Sequence, residues 1–173
     1  FTLPQLNTLH LSGNGLTGSL PIDLPLADNL FDLSLSHNVL TGTIPYTIQN
    51  RMWYNLDLSY NKFTGSLISS MESTMFNFTY TVRVNPKLKF NYTRDATKMA
   101  LGLENNRLSG KIPRSIVNIH NISILSGNLF TCHYDKSNLP EHDSAAGHYE
   151  CASNSFDLPY YAWLAMAVGG TLM

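Results

Sequence analysis

The stretch "LSLSHNVLTGTIP", residues 33–45, decides the reading of this chain, because the chain writes it four times. "LHLSGNGLTGSLP" occupies residues 9–21, "LDLSYNKFTGSLI" 56–68 and "LGLENNRLSGKIP" 101–113. Taking the central asparagine as reference, Asn14, Asn38, Asn61 and Asn106 are separated by 24, 23 and 45 residues, so the last step is about two periods. A weaker copy, "SILSGNLF", places Asn128 22 residues further on. A fixed period in this range is the signature of a solenoid. Each copy is then a coil that buries its apolar face only against its neighbours.

The letters have physical roles. Leu33 and Leu35 alternate with polar residues, which predicts a short strand with one buried face. Leu40, Ile44 and Ile48 complete that layer of core. Asn38 is expected to turn inward where the strand ends, and a buried amide must bond backbone groups of its own and the adjacent coil. Repeated at Asn14, Asn61, Asn106 and Asn128, this predicts an asparagine ladder. Gly42 permits a tight turn and Pro45 ends the extended piece that follows. Four amphipathic strands of a β-sandwich would not need the same Asn, Gly and Pro at the same offsets.

Composition agrees with a repeat. The chain has 17 Asn and 25 Leu, a bias expected when both residues have fixed positions in every coil. Its 11 basic and 12 acidic side chains nearly cancel, which gives no basic face for nucleic acid. The chain opens at Phe1 partway through a repeat, so it reads as a piece of something longer.

The L-x-L-x-x-N-x-L pattern followed by "TGSLP", "TGTIP" or "SGKIP" resembles the plant-type subclass of leucine-rich repeats, common in plant receptor-like kinases and receptor-like proteins. The resemblance covers residues 1 to 131 apart from one interruption. It implies an α/β solenoid, a right-handed superhelix with a parallel concave β-sheet. The expected division is repeats over 1–68, an interruption over 69–98, repeats over 99–131, a C-terminal cap over 132–157 and an apolar segment over 158–173.

Within the interruption, Phe76, Phe78, Tyr80, Val82 and Val84 alternate with polar residues. After the Asn85-Pro86 turn, Leu88, Phe90 and Tyr92 do the same. Two period-2 runs joined by a turn predict a β-hairpin. A degenerate repeat is the alternative, since Asn85 lies 24 residues after Asn61. The arrangement is similar to the island found a few repeats before the membrane in plant receptor-like proteins.

Cys132 and Cys151 follow the last repeat, where a solenoid needs a cap. The pair resembles the disulfide-closed caps of extracellular leucine-rich repeats, and a disulfide implies an oxidising compartment. Sequons at Asn77, Asn91 and Asn121 agree, and N-linked glycans are expected there. His133, Glu141, His142, Asp143, His148 and Glu150 crowd the cap, yet their spacing fits no zinc pattern, so neither metal nor other cofactor is expected. The uncharged "LPYYAWLAMAVGGTLM" is 16 residues, short of the ~20 that span a bilayer. Its leading Tyr160, Tyr161 and Trp163 suggest the start of a membrane helix, with an anchor signal or a protein-packed segment as alternatives.

Repeat register assigns the exposed concave positions. They are Thr8, His10 and Ser12; Asp32, Ser34, Ser36 and His37; Asn55, Asp57, Ser59 and Tyr60; and Gly102, Glu104 and Asn105. From these, His10, Asp32, Ser34, His37, Asn55, Asp57, Tyr60, Glu104 and Asn105 are the candidate ligand contacts. Their hydroxyl and amide groups suit a peptide, glycan or partner ectodomain. Ser34, His37 and Asp57 superficially suggest a catalytic triad. An open sheet, however, provides neither an oxyanion hole nor a cleft that excludes water. An enzyme is not expected. The resemblance implies a membrane-anchored receptor-like ectodomain at the cell surface. The alternative is an adhesive extracellular glycoprotein that self-assembles.

Overall fold

The structure is a computed structural model that describes residues 5–69, 100–152 and 154–155. The alternation of leucines with polar residues produces strands of only three residues on one side of every coil. They are β1 (Thr8–His10), β3 (Asp32–Ser34), β5 (Asn55–Asp57), β7 (Ala100–Gly102) and β9 (Asn121–Ser123). Among the described residues these form one parallel sheet in the order β1-β3-β5-β7-β9. The register aligns Leu9, Leu33, Leu56, Leu101 and Ile122 across it.

Between them the chain crosses to the opposite side and lays down a second row. It comprises β2 (Thr17–Ser19), β4 (Val39–Thr41), β6 (Thr64–Ser66), β8 (Arg107–Lys111), β10 (Leu129–His133) and β11 (Asn154–Ser155). β2 pairs with β4, and β6, β8, β10 and β11 pair in that order. A single bridge, Thr43 to Thr64, links the two groups. All these pairings are parallel. The "TG" segments, read as turns, are therefore strands. Gly42 has φ +76°, and a Cβ there would lie 3.0 Å from the Ser19 Cβ of the coil below, so both torsion and space demand glycine.

The core lies between the two rows. Leu33, Leu35, Leu40, Ile44 and Ile48 are all buried, and so are their equivalents Leu56, Leu58, Phe63 and Leu67 and Leu101, Leu103, Leu108 and Ile112. Each such side chain contributes on the order of 2 kcal/mol by leaving water. Among the described residues helix is scarce: one four-residue helix, α1 (Tyr46–Gln49), starts directly after Pro45, and Arg114–Ile116 and Ala146–His148 form 3-10 turns. The expected solenoid with its parallel concave sheet is present, and because the short convex "TGxIP" segments pair as strands and leave room only for single helical turns, the described coils form a parallel-sheet β-solenoid. Gln49 of α1 ties two coils, donating to the Ile44 carbonyl at 2.8 Å and accepting from the Ile68 amide at 2.9 Å.

The 45-residue step advances the concave sheet by one strand, not two. β5 bonds β7 directly, with Leu56 opposite Leu101. The hairpin read over residues 76–93, with the sequons Asn77 and Asn91, and the apolar segment 158–173 lie outside the described residues.

Cys132 and Cys151 are bonded, with Cα atoms 5.7 Å apart, and close the cap onto β10. Two further cap side chains substitute for the coil that a solenoid end lacks. The Asp143 carboxylate is buried and accepts from the amides of Ile124 at 2.7 Å and Leu125 at 3.0 Å. The Tyr149 hydroxyl accepts from the Phe130 amide at 2.7 Å and donates to the Asn128 carbonyl at 2.9 Å. Burial pushes the Tyr149 phenol above its ordinary pKa, with the Phe130 amide acting in the opposite sense.

Candidate recognition surface

The surface is built on the asparagine ladder. Asn38, Asn61, Asn106 and Asn128 are all buried. The Asn61 carboxamide accepts from the Leu40 amide at 3.0 Å and donates to the carbonyls of Leu35, Leu58 and Ser59 at 2.9, 3.2 and 3.1 Å. Asn106 repeats this arrangement one coil on. It takes the Phe63 amide and gives to Leu58, Leu103 and Glu104. Every rung holds its own strand end to the preceding coil. Asn14 is the exception: it is exposed and bonds only the Ser12 carbonyl through its side chain, because no coil packs on its outer side among the described residues.

The residue before each ladder asparagine takes a left-handed backbone. Gly13, His37, Tyr60, Asn105 and Gly127 have φ of 70°, 53°, 53°, 53° and 70°. This conformation lifts the side chain out of the sheet and onto its rim. His37 and Tyr60, one above the other, stack with ring centroids 4.2 Å apart and planes at 9°. For an aromatic residue, a positive φ stores about 1 kcal/mol or more of strain. The ladder overcomes it at each rung.

On the concave face proper, short side chains form a connected hydroxyl and carboxylate network. Ser12 and Ser34 hydroxyls are 2.7 Å apart, and Ser36 donates to Ser12 at 3.0 Å. Ser34 also donates to Asp57 at 3.2 Å, and Ser59 donates to the other Asp57 oxygen at 2.6 Å. Asn55 donates to Asp32 at 2.8 Å, and His10 meets the same oxygen at 2.8 Å. Ser123 donates to Glu104 at 2.6 Å.

Three concave positions expected to be exposed, one of them the candidate contact Ser34, therefore change character. Ser34, Ser36 and Ser59 are buried rather than displayed, since strands only ~4.8 Å apart let neighbouring side chains close over a hydroxymethyl group. Asp57 is part of the scaffold, its two oxygens engaged by Ser34 and Ser59. The Ser34 hydroxyl is committed to this network while the His37 ring lies against Tyr60, so the superficial triad is not assembled. His10, His37 and Tyr60 are exposed, and Asp32, Asn55, Glu104 and Asn105 are partly so.

A family model described as Leucine Rich Repeat matches residues 5–26, 29–50 and 54–73. Receptor-like protein 41 of Arabidopsis thaliana is 36% identical over 129 residues, 71% of this chain and 15% of that protein. Receptor-like protein 35 of the same plant is 35% identical over 145 residues, 73% of this chain and 14% of that protein. These coils are plant-type leucine-rich repeats.

Among solved structures, a TDR receptor superposes on the leucine-rich repeats with a TM-score of 0.57 at 28% identity, over 88% of this chain and 23% of that one. The Arabidopsis receptor kinase HAESA, solved with the peptide hormone IDA and the co-receptor SERK1, gives 0.53 at 26% identity, over 76% and 19%. The chain thus spans about a seventh of the curated relatives it matches. What marks the repeat in sequence is the asparagine. The left-handed rim before it was hidden, because glycine fills that position only in the first and last coils.

Proposed function

We propose that this repeat segment is the recognition surface of an extracellular receptor-like protein, holding an extended polypeptide across its concave sheet. The observation that supports this most is the ladder-fixed strip itself. Asp32 and Glu104 are partly exposed at its margins, the His37–Tyr60 stack lines its rim, and no deep cleft interrupts it among the described residues. Two concave carboxylates favour a ligand with basic side chains, while Asn55 and Asn105 offer amides to its backbone. The likeness to a receptor kinase solved with a peptide hormone supports the same reading. The surface acts by binding, without catalysis, metal or cofactor. The 16 uncharged residues from Leu158 onward are read as the beginning of its membrane anchor. No helix of the described residues is long and apolar enough to cross a membrane.

The test is selection of a displayed random-peptide library on the secreted chain. Enriched peptides should carry Lys or Arg, and should lose binding to a variant with His37→Ala, Tyr60→Ala and Glu104→Gln. That variant leaves the ladder and the Asp57 network intact. Equal binding to the variant would remove the strip from consideration. Sizing the secreted chain tests the adhesive alternative: the recognition reading expects a monomer, and a stable oligomer would oppose it.

A further inference from the structure

Each described coil contributes one left-handed residue to the rim of the concave sheet, and at His37, Tyr60 and Asn105 that residue keeps a side chain. Gly13 is the rung beside His37. Its amide donates to the Ser36 carbonyl at 3.0 Å, just as the His37 amide donates to the Ser59 carbonyl at 3.1 Å beside Tyr60. Tyr60 covers one face of the His37 imidazole, with centroids 4.2 Å apart and planes at 9°. The other face is turned to the Gly13 rung, where the rim is open: a Cβ built on Gly13 would meet no described atom within 4 Å. Gly127, the glycine rung at the cap end, has no such room, since a Cβ there would lie 2.7 Å from the Asn105 side-chain oxygen. The ring spacing is close to the ~4.8 Å between neighbouring strands, so a third ring fits at the level of Gly13.

The groups around this open step select what enters it. Residues 11–15, Leu-Ser-Gly-Asn-Gly, carry no charge, so nothing there draws a guanidinium or ammonium group. The Ser12 hydroxyl is engaged by Ser34 at 2.7 Å and Ser36 at 3.0 Å, and the Asn14 side chain donates to the Ser12 carbonyl at 3.2 Å. A sugar would find few partners for its hydroxyls, whereas an aromatic ring needs only a flat neighbour and release from water. We infer that the open rung is a subsite for one aromatic side chain of a polypeptide ligand, whose ring lies over Gly13 and extends the His37–Tyr60 stack to three. The ligand is the extended polypeptide of the recognition reading above, on which this subsite rests. One aromatic anchor at the rim then fixes the register in which its basic side chains meet Asp32 and Glu104.

The test has two arms, both on the secreted chain. In the first, N-acetyltryptophanamide at millimolar concentration should move the His37 ring protons upfield in nuclear magnetic resonance spectra, and N-acetylleucinamide should not. Gly13→Tyr, which places the chain's own ring on the open imidazole face, should abolish the shift, while Gly13→Ala, whose methyl group cannot cover it, should keep it. His37→Asn, a residue type the rim already holds at position 105, serves should Gly13→Tyr fail to fold, and is read by the loss of induced shifts at the Gly13 amide. In the second arm, peptides selected from the displayed library should share one aromatic residue, and Gly13→Tyr should weaken them about tenfold, the size of one ring pair. Absence of the His37 shift overturns the subsite. Selected peptides with Lys or Arg but no shared aromatic, bound equally by Gly13→Tyr, overturn it too and leave the recognition reading standing. An empty selection with the His37 shift present supports the aromatic subsite and counts against the recognition reading alone.

Discussion

Replacing Asn61 by alanine isolates what one rung of the ladder contributes. The side chain makes four hydrogen bonds, yet its removal does not strand four partners. The Leu35 carbonyl keeps Asn38, the Leu58 carbonyl keeps Asn106, and the Ser59 carbonyl keeps the His37 amide. Only the buried Leu40 amide loses its acceptor. An orphaned buried donor costs about 1–3 kcal/mol, and three weakened carbonyls add some tenths each, so Asn61→Ala should destabilise by about 3 kcal/mol. Against a domain stability of roughly 5–15 kcal/mol that is large. Asn14→Ala, whose side chain bonds only the Ser12 carbonyl among the described residues, should change the stability of this segment by less than about 0.5 kcal/mol. Asn61→Asp sharpens the test: its carboxylate would face three carbonyl oxygens, so its folded-state pKa is raised and its stability should improve as pH falls. Urea unfolding followed by circular dichroism, at neutral and acidic pH, reads all three variants. Equal effects of Asn14→Ala and Asn61→Ala would refute the reasoning.

Four further outcomes follow from the cap and the rim. Asp143→Ala leaves the Ile124 and Leu125 amides without their acceptor and should cost about 2–5 kcal/mol in the same unfolding assay. Reducing the Cys132–Cys151 bond, which closes a loop with a sequence separation of 19, should cost about 3 kcal/mol, seen as a lower melting temperature with reductant. The raised Tyr149 pKa means its neutral form is favoured by the fold. Its contribution is full below the ordinary pKa near 10 and lost as pH rises through the folded value, so alkaline unfolding should shift in Tyr149→Phe. Gly127→Ala should be worse than Gly13→Ala although both have φ +70°, because a Cβ at Gly127 meets the Asn105 Cα at 2.8 Å and one at Gly13 meets nothing within 4 Å. Thermal melts of the two variants compare torsional strain with crowding.

The periodic part of the fold was legible because each coil needs the same aliphatic and amide groups at the same offsets. Leu33, Asn38, Leu40 and Gly42 could each be assigned a role from the repeat alone. What repetition does not mark could not be read that way. Asp143 and Tyr149 act once, at the solenoid end; in sequence Asp143 is only one of the polar residues crowding the cap, and nothing marks Tyr149. The convex strands were obscured because Thr-Gly looks like a turn, although its glycine is needed for stacking. Ser34, Ser36 and Ser59 were assigned outward by strand alternation, correctly as to face. Their burial depends on the close approach of neighbouring coils, which alternation does not express. In the last coil the asparagine arrives one residue late, six after Ile122 instead of five as in Leu101 to Asn106. That extra residue accompanies the Ile124 and Leu125 amides that bond Asp143.

The central claim is that inward asparagines lock each coil to the one before it and so hold the concave face in register. Nuclear Overhauser contacts of the side-chain amide protons of Asn61 and Asn106 test it most directly. The account expects Asn61 to contact Leu35 and Leu58, and Asn106 to contact Leu58 across the 45-residue step, with slow exchange of both amides. Amide protons that exchange at the rate of free carboxamides, with cross-peaks only to water, would contradict it.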